Sequence, residues 1–552
     1  MYKYGKTLIQ KYFDEQSFVN SDIESFNDFM ERELNIILEE NKEIVPTIIP
    51  HNVDDFRIKL DKIWSVKPEI TEADGSKRNI FPAEARLRKL TYSAPTFIEV
   101  SAHINGVQRE SFVTQVGNVP IMLKSKWCHL HKMSRQELME KGEDPDEPGG
   151  YFIINGTEKV LITVEDLAAN KFLVEQESTS GKFIGKMFSE QGSFKIPHTV
   201  EKLKDGLFYL TFTRVKRIPV VVILKALGML KDEEITRYIS QDEQFDEIIL
   251  NLIEFAAIKT EDDALDYIAK KIGITQSKEV RVERMVEILD KYLLPHIGIR
   301  KEDRIYKAYN ICKLLKRYIK VSRGDIAVDD KDHYMNKRLK LAGDLLGDLL
   351  RLNLKVLIGD LLYNFQRIVK RGKFPSIKVI IRDKLLTQRI YSAMATGTWA
   401  AGRKGISQRI QRLNYLETLS HLQRVVSPLS ASQENFEARE LHSTHLGRLC
   451  PIETPEGTNI GLRKNLSMLC TISADSNEDD ILKQLKNMSL LTDQKTYSPK
   501  ALISSKSIFS LDNFFLISRI SFTESPVLGM DPTWVSRISF LKASLITSDL
   551  LV

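Results

Sequence analysis

The chain has 552 residues, 42% hydrophobic and 28% charged, enough to bury several cores, and on length alone it divides into roughly three or four domains. Its 80 basic and 74 acidic residues leave a formal charge of only +6, so any surface for nucleic acid must come from local clustering. Cys128, Cys312, Cys450 and Cys470 stand far apart without a CxxC pair, which argues against a disulfide framework and a zinc ribbon and fits a reducing compartment.

The amino terminus, MYKYGKTLIQKYF, lacks the apolar segment and cleavage site of a secretory signal, and no apolar run approaches the roughly 20 residues that span a bilayer. The expectation is a cytoplasmic protein with no membrane partner. Residues 8–40 place Leu8, Ile9, Tyr12, Phe13, Phe18, Phe26, Phe29, Met30 and Leu34 at helical spacing around the capping stretch Asn20-Ser21-Asp22, so two amphipathic helices should open the chain. From Val53 to Met122 the pattern becomes short strands, with Gly117-Asn118 read as a turn before Val119-Pro120-Ile121-Met122.

Gly142 to Gly150 is too rich in Gly, Pro and Asp to continue a helix. It leads to Tyr151-Phe152-Ile153-Ile154, then Asn155-Gly156, whose residues tolerate positive φ, then Val160-Leu161-Ile162-Thr163. The five-residue spacing to Val160 predicts a hairpin with a loop slightly longer than two residues. Residues 205–225 read as strand, ending in Val220-Val221-Val222-Ile223-Leu224, and acidic helices follow to about Tyr318. Near Leu339 a long helix begins, with Leu345, Leu346, Leu349, Leu352, Val356, Leu357, Leu361, Phe365 and Ile368 at three- and four-residue intervals, ended by Gly372 and Pro375. The last sixty or so residues turn rich in Ser, Leu and Ile.

Asp325, Asp329, Asp330, Asp332 and His333 have the residue types of a hard-cation site. Their spacing fits neither a calcium loop nor an aspartate triad, and they read as an acidic turn with Asp332 capping the next helix. His442, His445 and Cys450 supply three zinc ligands where a structural site needs four, so no metal site is expected. The richest stretch is 397–465, where Arg403, Lys404, Arg409, Arg412, Arg424, Arg439, Arg448, Arg463 and Lys464 lie among Gly, Ser and Gln. Guanidinium forks suit phosphates, although such clusters are as often solvated faces. Glu453-Thr454-Pro455-Glu456-Gly457 sets two carboxylates beside a rigid Pro and a permissive Gly, a loop able to hold an acid in a fixed direction or simply a turn with a salt bridge.

Three long motifs occur in order: Gly149-Gly-Tyr-Phe-Ile-Ile-Asn-Gly-Thr-Glu-Lys-Val-Leu-Ile162, Asp329-Asp-Lys-Asp-His-Tyr-Met-Asn-Lys-Arg-Leu-Lys-Leu-Ala-Gly343 and His442-Ser-Thr-His-Leu-Gly-Arg-Leu-Cys-Pro-Ile-Glu-Thr-Pro-Glu-Gly457. Together they resemble the second-largest, beta-like subunit of multisubunit DNA-directed RNA polymerases, over about residues 1–480. The middle motif points to the archaeal and nuclear branch. The resemblance implies an α+β, multidomain fold: a mixed helix and sheet protrusion from 1–170 and 336–390, a lobe inserted at 171–335, and a fork at 391–480 carrying the Glu-Thr-Pro-Glu-Gly loop. Residues 481–552 are then a divergent tail, either the start of an external domain or the product of a frameshift or truncation.

The resemblance also implies roles. Gly405-Ile-Ser-Gln-Arg409 and Ser420-His-Leu-Gln-Arg424 resemble fork segments lining the RNA–DNA hybrid, making Gln408 and Arg424 nucleic-acid contacts. Arg439 and Arg448, which flank the loop near the active centre, are nucleic-acid contacts as well, and Glu456 with Asn459 lines the active centre, facing the site of nucleotide addition. The enzyme is the complex and not this chain alone. Its Mg²⁺ ions are bound mainly by the largest subunit, none by this chain, and the family's later landmarks are absent here. The implied partners are the DNA template and RNA–DNA hybrid, ribonucleoside triphosphates, the largest subunit and a companion chain carrying the carboxy-terminal half. The rival reading is a non-enzymatic DNA-binding scaffold or an inactive truncated polymerase fragment.

Overall fold

The computed structural model describes residues 4–472, apart from 16, 50–52, 178–179, 193, 214, 241–244, 374–375, 400–401 and 433–434, together with 482–484. The sequence features expected at Pro375 and in the tail beyond 484 lie outside the described residues. The chain forms two compact units, one from Met1–Asp166 with Arg338–Asp475 and the other including Leu167–Lys337. Among the described residues no helix is long and apolar enough to cross a membrane.

In the first unit the opening helices Gly5–Glu15 and Asn20–Asp28 appear as the spacing predicts, the latter continuing through a π-helical turn, Phe29–Glu33, into Leu34–Glu39. Phe26, Phe29, Leu34, Ile37 and Leu38 are buried on one side. They pack with the helix Ala342–Val369, whose Leu345, Leu346, Leu349, Leu357, Leu361 and Phe365 form the buried stripe read from the sequence. Gly343 lets this helix start hard against the Ser25 backbone, where a Cβ would collide. Asp344 closes its first turn by accepting from the Leu341 N–H at 3.0 Å. A four-stranded antiparallel sheet covers the other side, in the order Glu43–Ile44, Phe56–Ser65, Ser93–Ile104, Val107–Pro120. Phe56 stacks on Phe365 with ring centroids 4.9 Å apart.

Gly117-Asn118 is not a turn, because strand Val107–Pro120 runs straight through it; the turn of this hairpin is Asn105-Gly106, both at positive φ. The register shifts between Thr96 and Phe97, marking a bulge next to Gly117. The glycine serves close approach instead: a Cβ there would meet Thr387 Oγ1 at 3.1 Å and Leu386 at 3.3 Å on helix Asp383–Thr396. Asn155-Gly156 is a turn, but a tighter one than expected. Ile154 pairs with Thr157, so the loop is the two residues alone, at φ 50 and 72.

The second unit has a five-stranded antiparallel sheet in sequence order, from Phe172–Gln176 to Val215–Pro219, against a helical layer including Val220–Ala226, Glu261–Ile272 and Arg304–Arg323. The run Val220-Val221-Val222-Ile223-Leu224 is therefore helix and not strand. β-Branched residues cost a helix about 0.5 kcal/mol each, whereas burying each aliphatic side chain contributes about 1.5–3 kcal/mol. All five are buried, so packing overrides propensity.

Asp332 does not cap a helix; it pairs with Lys337 at 3.3 Å. The cap of the 3₁₀ turn Tyr334–Asn336 is His333, whose Nδ1 accepts from the Met335 N–H at 3.2 Å. Asp329 is occupied with the Val174 N–H at 2.9 Å and with Arg317 at 2.7 Å. Among the described residues no group of three or more His, Cys, Asp or Glu side chains converges on a point that could hold a metal.

Candidate nucleic-acid interface

The basic region is assembled on strands supplied by the first motif. Ser407–Arg409 pairs antiparallel with Thr157–Leu161, Gln408 lying opposite Val160. Arg424–Val426 pairs parallel with Thr163–Leu167 and antiparallel with Arg463–Asn465. Gly397 ends helix Asp383–Thr396 in the left-handed region at φ 74, close enough to the Ser407 carbonyl that a Cβ would collide. Helix Tyr415–Leu422 then begins at Asn414, whose side chain accepts from the Glu417 N–H at 2.8 Å.

Gln408 is half-buried. Its Nε2 donates to the Gly405 carbonyl at 2.9 Å, and its Oε1 lies 3.2 Å from His421 Nε2. Arg424 reaches Gln411 Oε1 at 3.4 Å and Glu417 at 3.7 Å, and only 16% of its side chain is exposed. Burial holds its guanidinium below the ordinary value, with Glu417 opposing. Arg448 donates to the Thr444 carbonyl at 2.6 Å.

The Glu-Thr-Pro-Glu-Gly loop is closed at its base. Thr454 Oγ1 donates to the Arg463 carbonyl and accepts from the Gly461 N–H, both at 2.9 Å. Arg439 donates to the Thr458 carbonyl at 2.7 Å, the Ile460 carbonyl at 3.0 Å and the Ala431 carbonyl at 3.0 Å. Gly461, at φ 71, passes so near the Arg439 backbone that a Cβ would strike it. Deeper in, Lys464 and Glu165, both buried, are 3.1 Å apart.

The acid that this loop ties down is Glu453, which accepts from Ser420 Oγ. Glu456 is exposed at the tip and makes no ion pair or hydrogen bond with a described residue, so it does not orient one of the arginines. Asn459 ends the short turn Gly457–Asn459 and lines a cavity of about 210 Å³ with Arg403, Lys404, Ser427 and Arg463. The structure thus gathers the expected residues into two groups, Gln408 with Arg424 and Arg439 with Asn459 and Glu456, while Arg448 braces its own turn.

The cations of the region separate into two classes. Arg403 is paired with Asp166 at 3.0 Å, and Arg412 with Glu158 at 2.8 Å and Glu147 at 2.9 Å. Lys404 and Arg409 are exposed and Arg463 half-exposed, and none of the three has a side-chain ion pair or hydrogen bond among the described residues. The sequence shows all three within its basic stretch but does not separate them from the arginines that the fold itself employs. It also gives no separate role to His421, 1% exposed, which lies inside the motif Ser420 to Arg424.

A family model described as RNA polymerase beta subunit matches residues 17–388, and one described as RNA polymerase Rpb2, domain 3, matches residues 408–472. DNA-directed RNA polymerase subunit Rpo2N of Methanocaldococcus jannaschii is 44% identical over 495 residues, covering 88% of this chain and 99% of that one. Subunit Rpo2N of Methanothermobacter thermautotrophicus is 40% identical, covering 87% and 96%. Subunit Rpo2 of Saccharolobus solfataricus is 42% identical over 88% of this chain, which spans only 43% of that longer relative. The chain belongs to the RNA polymerase beta subunit family and is a second-largest subunit of an archaeal-type DNA-directed RNA polymerase, matching its amino-terminal half.

Proposed function

We propose that this chain frames the active-site cleft of the polymerase, with residues 1–170 and 336–390 as protrusion, 171–335 as lobe and 391–480 as fork. Gln408 and Arg424 line the RNA–DNA hybrid. Arg439 and Arg448 hold the fork loops in place beside it, and Glu456 and Asn459 face the site of nucleotide addition. The observation that carries this reading is the contrast between a loop braced at its base by Thr454 and Arg439 and a set of cations, Lys404, Arg409 and Arg463, left without internal partners. A cation without an internal partner keeps its N–H groups available for the charge-assisted hydrogen bonds that phosphates accept.

The partners in this reading are the DNA template, the hybrid, ribonucleoside triphosphates, the largest subunit and a companion chain carrying the carboxy-terminal half, all in the cytoplasm. The two Mg²⁺ ions of nucleotide addition belong to the largest subunit. What this chain supplies is position and electrostatic potential.

The test is photo-crosslinking in the assembled polymerase, with a 4-thiouridine placed in the RNA of the hybrid. Crosslinks within residues 404–424 are expected. Crosslinks confined to other chains, at every position of the 4-thiouridine along the hybrid, would overturn the reading.

A further inference from the structure

We propose that His421 is a positioning residue that sets the orientation of the Gln408 amide and so presents one of its N–H groups to the RNA–DNA hybrid. The inference rests on the reading of Gln408 as a hybrid contact and adds the group that aims it.

His421 sits on helix Tyr415–Leu422 with 1% of its surface exposed. The Gln411 N–H points at its Nδ1 from 3.1 Å, and a backbone N–H can only donate, so Nδ1 is the unprotonated nitrogen. The ring hydrogen is therefore on Nε2, which donates to Gln408 Oε1 at 3.2 Å. That fixes which end of the amide is which. With Oε1 turned toward His421, Nε2 donates one hydrogen to the Gly405 carbonyl at 2.9 Å and keeps a second. A lone amide donor suits an oxygen that every nucleotide offers, a phosphate oxygen or a 2′-hydroxyl.

The same helix grips the strand twice. Thr418, three residues before His421 and on the same face, donates from Oγ1 to the Gln411 carbonyl at 2.9 Å. Both backbone groups of Gln411 are thus held by one helix, and the imidazole extends that grip to Gln408. Burial, with the cations of Arg424 and Arg463 nearby, keeps the ring neutral by holding its pKa near about 4.

Two substitutions separate the imidazole's two bonds. In His421→Asn the amide oxygen stands near Nδ1 and keeps the Gln411 N–H, but nothing replaces Nε2–H. In His421→Gln the amide nitrogen reaches the Nε2 position and keeps Gln408. The assembled polymerase carrying each variant is imaged by electron cryo-microscopy on an RNA–DNA scaffold, and the dissociation rate of the same complex is measured with and without Gln408→Ala.

In His421→Asn the Gln408 amide should leave its place while the Gln411 backbone stays, and dissociation should rise by about tenfold, the loss of one hydrogen bond. His421→Gln should remain near the wild-type rate, and His421→Asn should add nothing once Gln408 is Ala. A Gln408 that keeps its place in His421→Asn overturns the proposal. So does an equal acceleration by His421→Asn in the Gln408→Ala background, or an effect of His421→Gln as large as that of His421→Asn. A wild-type rate with Gln408→Ala alone refutes the hybrid contact, and with it this role of His421, and is told apart by a map in which Gln408 has nevertheless moved.

Discussion

Replacing Arg412 by Ala should loosen the strand that carries Gln408. The Arg412 guanidinium reaches Glu158 at 2.8 Å, Glu147 at 2.9 Å and the Tyr151 hydroxyl at 3.1 Å, and lies over the Tyr151 ring at 5.2 Å. Arg86 approaches the same ring, Glu158 and Glu143, so Glu158 would keep one cation while Glu147 would lose the guanidinium. A hydrogen bond to a charged group contributes about 1.5–3 kcal/mol, and Arg412 makes such bonds to two largely buried carboxylates. Its own side chain is 37% exposed, so screening reduces the sum to about 2–3 kcal/mol. Hydrogen exchange on the assembled polymerase reads the cost directly. Ile410 donates to the Glu158 carbonyl at 3.2 Å, and amides of residues 407–412 should exchange about 30- to 150-fold faster in Arg412→Ala, while those of helix Ala342–Val369 stay unchanged. Arg412→Lys should recover only part. Unchanged exchange at 407–412, or an equal increase throughout the first unit, would refute the reasoning.

His198, His296 and His421 are all held near about 4 by burial, against 6.5 when unfolded. The unfolded chain then takes up protons that the folded one refuses, so stability is full above about 6.5 and is lost as pH falls toward 4; denaturant titrations at pH 7 and 5 should show it, and His296→Gln should weaken the dependence. Gly461→Ala forces a Cβ into the Arg439 backbone and should displace the Glu456 loop, lowering the rate of nucleotide addition about tenfold or more with the assembled polymerase intact; an unchanged rate would show the loop is not positional. Gly117→Val should destabilise the first unit by about 1–3 kcal/mol through contact with Leu386 and Thr387, measured by thermal unfolding. Arg409→Ala and Arg463→Ala should each reduce the salt dependence of hybrid binding by roughly 0.7–0.9, whereas a change confined to Arg439→Ala would reassign the phosphate contacts.

The features legible in the sequence are those set by local rules. The stripe Leu345, Leu349, Phe365 predicts its helix because a helix repeats every 3.6 residues, and Asn155-Gly156 predicts its turn because both residues accept positive φ. The misreadings arise where distant packing decides. Val220 to Leu224 has the composition of a strand and becomes helix inside a core that its own sequence does not reveal. Gly117 resembles a turn residue until helix Asp383–Thr396 is seen lying against it. In the candidate interface, sequence shows each cation but not its partner: Arg412 meets Glu158 254 residues away, while neighbouring Arg409 meets none among the described residues. Separating braces from contacts therefore needs three dimensions, as does seeing that His421 speaks to Gln408.

The most direct test of a chain that frames the cleft is reconstitution of the polymerase from its purified subunits, with this one present, absent, or carrying Gln408→Ala with Arg409→Ala and Arg463→Ala. Template-directed RNA synthesis on a preformed RNA–DNA scaffold should be lost without the chain, and in the triple variant the elongation complex should form but dissociate faster, with a shallower salt dependence. Full synthesis in the absence of the chain, or a triple variant with wild-type stability at every salt concentration, would contradict the account.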